Sequence, residues 1–371
     1  MERISTYQLA MLYMLGIYGS NAGFVLNVYA QHGGYMGWAS LILGFLLSLI
    51  LVHLSLRIAK ICPNRSIVQF GASLIGTWPH RALMLIYLLF LIHTASSLLR
   101  ELSNFMSQTY LEHTPGWAIA ALFGVSLVLA VRSGLETIAR CAGSFVIFII
   151  ISVFLMFVLT GSILKTELSG AFFRNWNLIS ITKSTIASVS MFNDLSLTLF
   201  VFPLLKQKKR AFRAIVLGGA GATLLTLLTY VTCILIFGIH LTGYLSYPTQ
   251  EAMRMVRIGD FMDNLDPVFI TVWMCSLFLK LSFYLYVILS ITGDLLKLHQ
   301  PKPLAWPIGI ILVAYSVQIA ANAAEVKAFL ASVFPLASYF VQLSLIAVYL
   351  PMWWIRRRSL GGTLPSKEPF G

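Results

Sequence analysis

The sequence predicts an all-α, polytopic membrane protein. Ten transmembrane helices are expected, arranged as a five-plus-five inverted repeat with the first and sixth helices broken. Three observations carry this. Of 371 residues, 58% are hydrophobic and only 11% charged, whereas a soluble domain is nearer half apolar and a quarter charged. Ten apolar segments approach the roughly 20 residues that a helix needs to cross a bilayer. The Lys and Arg residues sort into alternate connections, as cytoplasmic loops require.

In order, the ten segments are Ile4–Val28, Trp38–Ala59, Leu83–Tyr110, Trp117–Val131, Cys141–Leu164, Ser184–Leu205, Ala214–Ile239, Leu265–Ile291, Leu304–Ala321 and Ala328–Ile355. The first follows Arg3 and could mimic a signal peptide. It is too long for one and is followed by further spans, so it reads as an uncleaved first helix. The fourth is short, and the third and eighth are long enough to tilt. Prolines 63, 301, 303 and 307 punctuate inside turns. Two outer connections are longer than the rest. Lys165–Lys183 follows the fifth span. His240–Asn264 follows the seventh and carries Glu251, Asp260 and Asp263 beside Arg254 and Arg257. The expected organisation is one membrane domain over residues 1–360, with repeats at about 4–164 and 184–355. A short polar, disordered cytoplasmic tail is expected over 361–371.

Charge sets the orientation. With the N-terminus inside, the Lys and Arg residues other than Arg100 and Lys280 divide 18 to 6 in favour of the cytoplasmic side, which places both termini there. The run KQKKRAFR from Lys206 to Arg213 is the strongest marker. The net charge of +13 is therefore a matter of topology and not of nucleic-acid binding. The four cysteines lack metal or disulfide spacing and read as free thiols. No HExxH, Walker or GxSxG pattern occurs, so neither an enzyme nor a cofactor is expected.

The candidate site begins with GIYGSNAG, residues Gly16 to Gly23, in the middle of the first span. Glycine, serine and asparagine are poor helix formers. Two readings are open. Gly16, Gly19 and Gly23 form a small-residue packing face, or the stretch is a break that lines a site, with Ser20, Asn21 and Ala22 in it. The sixth span offers a counterpart. Ser188, Ser190, Asn193 and Asp194 interrupt it, with Asp194 about 15 Å along the helix. Many secondary transporters place their sites where the first helix of each repeat is broken. Unwound half-helices would expose backbone amides around Gly19–Ala22, which suit a carboxylate, and carbonyls around Ser190–Asn193, which with Asp194 suit an ammonium. A midplane acid is a functional candidate by default, and a structural bond from Asp194 to the first span is the other reading.

Lys280 lies midway along the eighth span. It reads as a fixed cation replacing a coupling ion, as the partner of Asp194 or another acid, or as a snorkelling side chain. Arg100 and Glu101 face about 100° apart on the third span and read as interfacial anchors, with Ser96 and Ser97 one turn below towards the cavity. His53 and His93 read as packed or hydrogen-bonded histidines.

Two stretches resemble a known family. The start ISTYQLAMLYMLGIYGSNAGF and the stretch YPTQEAMRMVRIGDFMDNLDPVFITVWMCSLFLKLSFYLYV, from Tyr247 to Val287, are similar to the B-subunit family of spore germinant receptors, the GerAB-type spore permeases. The first matches that family's Ser-x-x-Gln-Leu head. The second matches its Tyr-Pro-Thr, Arg-x-x-x-x-Gly-Asp/Glu-Phe, Leu-Asp and Ile/Val-Trp series. One departure is Asn27, where that family often carries proline. The resemblance implies an APC-superfamily, leucine-transporter-like fold used mainly for sensing. It implies a small nutrient, commonly an amino acid, bound between the first, third, sixth and eighth spans. Here that corresponds to Gly16–Gly23, Ser96–Arg100, Ser188–Asp194, and Lys280 with Tyr284. It also implies A and C receptor subunits as partners, in the spore inner membrane. The alternatives are an amino-acid or cation symporter, and a structural subunit with a vestigial pocket.

Overall fold

The structure is a computed structural model. It describes residues 3–356 except 175, 256, 259–261, 264, 265, 299 and 321. The tail expected over 361–371, and Asp260 and Asn264 of the outer loop, lie outside the described residues.

The first apolar segment is helical but not uniform. Ser5 and Gln8 form a capping box at its start: the Ser5 hydroxyl accepts from the Gln8 amide at 3.1 Å, and the Gln8 side chain accepts from the Ser5 amide at 2.8 Å. Helix α1 (Thr6–Ser20) then gives way to one π turn (Asn21–Val25) and continues as α2 (Leu26–Gly33). With asparagine in place of proline at position 27, the helix runs on to Gly33. Gly34 has φ +58°, a conformation that L side chains resist, and from there the chain enters α3 (Gly37–Ala59).

The remaining elements follow in order. They are α4 (Ile67–Ile75), α5 (Thr77–Thr109), α6 (Gly116–Arg132), α7 (Leu135–Leu159), α8 (Ala171–Arg174) and α9 (Leu178–Phe192). A 3-10 turn (Asn193–Leu197) links α9 to α10 (Thr198–Val201). Then come α11 (Ala211–Tyr244), α12 (Pro248–Arg254), α13 (Asp266–Leu295), α14 (Ala305–Gln318) and α15 (Ala323–Arg356). The strands β1 (Arg257–Ile258) and β2 (Met262–Asp263) pair antiparallel, a small departure from the all-α expectation. From the sequence, the segments around α4 and α12 read as plain connections. Both are helical, and Ser66 and Gln69 cap α4 as Ser5 and Gln8 cap α1.

Seven helical stretches of the described chain are long and apolar enough to cross a membrane, one of them the continuous run Thr6–Ala59. Helices α6 and α14 are shorter, at 17 and 14 residues. Burial separates centre from rim. The apolar window of Leu178–Leu204 is 94% buried, against 33% in α7. So the sixth segment is central, whereas α7 presents Ile147, Phe148 and Phe154 outward. Helix α1 packs on α7, α11 and α13, and α3 packs on α9. The chain before α1 is bonded to the end of the sixth segment: the Ile4 amide donates to the Leu204 carbonyl, and the Lys206 amide to the Ile4 carbonyl, both at 3.0 Å.

Candidate functional site

The three glycines of the first segment face α13. A Cβ built on Gly16 would lie 3.3 Å from the Lys280 Cβ, one on Gly19 would lie 2.3 Å from the Ser276 hydroxyl, and one on Gly23 would lie 2.2 Å from the Trp273 ring. They are a close-packing face, as small residues often are between membrane helices. The turn Asn21–Val25, which contains Gly23, is loosened, not unwound, which corrects the expectation of half-helix ends open to a ligand. Its loosened carbonyls are met by side chains. Trp273 Nε1 donates to the Gly19 carbonyl at 2.6 Å, and Thr249 Oγ1 of α12 donates to the Ala22 carbonyl at 2.7 Å. A buried carbonyl left unpaired would be costly.

The break in the sixth segment is a tightened turn. The Ser196 hydroxyl donates to the Asn193 carbonyl at 2.6 Å, and the Thr198 hydroxyl to the Leu195 carbonyl at 2.9 Å. Side chains thus satisfy carbonyls that the change of winding frees. Asp194 sits in this turn with 8% of its surface exposed.

Opposite it, α13 supplies Lys280 and Tyr284, four residues apart and so on one face. Lys280 Nζ lies 2.6 Å from Asp194 Oδ2. It donates to the Ser20 hydroxyl at 2.7 Å and stands 5.7 Å above the Tyr284 ring. The Tyr284 hydroxyl donates to Asp194 Oδ1. The pair is desolvated, with Lys280 only 6% exposed. Such a pair is held by its own charges and hydrogen bonds or not at all. Thr94 and Ser97 of α5 complete the polar wall. Their hydroxyls bond back to the carbonyls of Phe90 at 2.8 Å and His93 at 2.9 Å, which leaves lone pairs to accept from a visitor.

These groups surround a cavity of about 20 Å³, closed on its apolar side by Phe24, Met191 and Phe334 among others. That volume holds about one water, so this conformation leaves no nutrient-sized space. On the α12 side of it, Trp273 packs edge-on against Phe24 at 5.2 Å and against Phe105 at 4.7 Å, and Phe105 meets Tyr247 at 4.9 Å. Burial, and then the nearby Glu101 carboxylate, push the Tyr247 phenol up from its ordinary value. A larger cavity of about 410 Å³ between α6 and α14 is lined by no ionisable side chain. It offers shape without chemistry.

Of the residues singled out from sequence, Ser20, Ser97, Asp194, Lys280 and Tyr284 meet at this cavity. Gly16, Gly19 and Gly23 form packing surface, and Ala22 is tied to α12. Asn21 is buried, with its Oδ1 accepting from the Tyr29 hydroxyl at 2.8 Å. Ser96 donates to the Leu312 carbonyl at 3.1 Å, and Ser190 to the Ala187 carbonyl at 2.7 Å. Asn193 bonds the Ser338 hydroxyl of α15 at 2.7 Å. In this structure these eight stand in the framework around the cavity and not on its wall, their polar groups engaged by their own or a neighbouring helix, or their faces packed against α13. Arg100 donates to the Ala320 carbonyl, just past the end of α14, at 3.2 Å, while Glu101 is fully buried and is not an interfacial anchor. His93 bonds the Tyr315 hydroxyl at 2.8 Å, and all four cysteines are free. Sequence reasoning missed Thr94, though its spacing from Ser97 put both on one face. It also missed Thr249 and Trp273 as carbonyl partners, for which no local pattern exists.

Two interrupted helices around a buried charged centre, inside a helical bundle, define a fold shared with secondary transporters. MhsT in complex with L-phenylalanine superimposes with a TM-score of 0.68 at 14% identity, over 92% of this chain and 88% of its own. Mhp1, a nucleobase-cation-symport-1 family transporter in a closed conformation, gives 0.64 at 12% identity, over 96% and 80%. The chain itself belongs to the spore germination protein family of spore permeases, the B subunits of germinant receptors, whose sequence model matches residues 3–324. Spore germination protein KB of Bacillus subtilis (strain 168) is 26% identical over 327 residues, 87% of each chain. The chain is thus an integral membrane protein of spore germination.

Proposed function

We propose that the chain is the nutrient-sensing subunit of its germinant receptor, and that the nutrient is an amino acid held at the cavity between Asp194 and Lys280. The observation that carries this is the buried pair itself. A carboxylate and an ammonium in contact, at the junction of two interrupted helices, match the two charged ends of a zwitterion. An amino acid entering between them gives its ammonium to Asp194 and its carboxylate to Lys280, so neither protein charge is left buried alone. Ser20, Ser97 and Tyr284 then orient it. Because the closed cavity holds about one water, entry requires α1 and α9 to part. That movement is the signal passed to A and C subunits in the spore inner membrane.

The finer architecture belongs to the same reading. Ten crossings follow if Gly34 reverses the chain within Thr6–Ala59 and the short α6 and α14 also cross. The five-plus-five repeat is supported by the matching interruptions in the first and sixth segments. Helices α4 and α12 add support, since each follows the second crossing of its repeat. Both termini are then cytoplasmic, in a single membrane domain without enzymatic activity.

The test is a thermal-shift screen of amino acids on the purified chain, paired with germination of spores carrying the same variants. A ligand should raise the Tm of the parent but not of Asp194→Asn or Lys280→Met, and both variants should lose the response to it. Full germination by spores of both variants would overturn the reading. Uptake of labelled amino acid into liposomes by the chain alone would make it a symporter.

A further inference from the structure

The contacts of the Lys280 ammonium are those that a bound cation would make. A carboxylate oxygen, a hydroxyl oxygen and an aromatic face surround Nζ, and they come from three separate segments. Cations over aromatic faces are a recurrent mode of binding. The route of the side chain is built for this placement. Its stem crosses α1 at Gly16, where even a methyl group would lie within 3.3 to 3.6 Å of the Lys280 Cβ, Cγ and Cδ. Its head then meets Ser20, one turn further along α1. Asp194 does not depend on the lysine for its orientation, since the Tyr284 hydroxyl holds its other carboxylate oxygen. The acceptor set therefore outlasts the ammonium, and removing the side chain adds its volume to a cavity that already holds about one water.

We propose that Asp194, Ser20 and the Tyr284 ring form a monovalent-cation site that the chain fills with its own Lys280 ammonium, so that the site works without an external coupling ion. This rests on the sensing reading above and deepens it: Lys280 is the cation of the site until a nutrient's ammonium takes its place at Asp194. Its test uses no nutrient, so the two fail separately.

The full chain is purified as parent, Lys280→Ala and Lys280→Ala/Asp194→Asn, and its Tm is followed while choline chloride is replaced at constant ionic strength by sodium, potassium or methylammonium chloride. The parent should show no saturable response. Lys280→Ala should gain a saturable rise of a few degrees with at least one of the three cations, and the double variant should lose it. A saturable response in the parent would overturn the proposal. So would a folded Lys280→Ala that ignores all three cations, or a double variant that responds as strongly as the single. Recovery of Lys280→Ala only when sodium, potassium or methylammonium is present during extraction supports the proposal. Equally poor recovery in every salt sinks it.

Discussion

At the scale of single residues, the Asp194–Lys280 pair decides most. A buried ion pair adds little net stability when complete, but breaking one partner costs about 3–5 kcal/mol because the other charge stays desolvated. Asp194→Asn and Lys280→Met should each lower stability by that order, and the double variant should lose clearly less than the sum. Thermal unfolding in one detergent reads this directly, and additive losses would mean that the two side chains do not share a charge balance. Both residues were legible in the sequence as ionisable groups deep in apolar spans. Their contact was not legible, because it depends on how α13 is rotated against the turn at Asn193–Leu197. The glycines show the converse. Their sequence left packing and lining both open, and a Cβ clash of 2.2 Å with Trp273 at Gly23 decides for packing there.

At the scale of elements, the loosened turn of the first segment is held open from outside itself. Trp273 and Thr249 supply the donors that its carbonyls need. Removing such a donor leaves a buried acceptor unsatisfied, at about 1–3 kcal/mol. Thr249→Val, nearly the same in shape, should therefore destabilise by that order, while Thr249→Ser should not. Hydrogen exchange around residues 19–25 should rise in the valine variant alone, and equal exchange in the two would place the hold elsewhere. The interruption itself was readable from helix propensity, since Gly, Ser and Asn cluster there. Its form was not, because a π turn and an unwound loop share the same local composition and differ in partners 227 and 254 residues away along the chain. The helices α4 and α12 went unread for another reason: each is under ten residues long, too short for periodicity to declare.

At the scale of the molecule, the apolar segments and the charge bias carry the membrane assignment, and every residue that lines the cavity lies within a segment marked from hydropathy. The order of crossings can be tested through the loops. On the ten-crossing reading, Lys60 and Lys302 lie on the cytoplasmic side, while Glu167 and Glu251 lie across the membrane. Single cysteines at these positions in a cysteine-free background, in sealed right-side-out vesicles, give a direct assay. Membrane-impermeant maleimide should label positions 167 and 251 at once, and positions 60 and 302 only after permeabilisation. The comparison between 60 and 167 carries most weight, because three crossings, including the short α6, separate them. Labelling of both from the same side would remove one of those crossings and with it the five-plus-five repeat. The charged centre at Asp194 and Lys280 would remain, since it rests on contacts between α1, α13 and the turn after α9 and not on the count of spans.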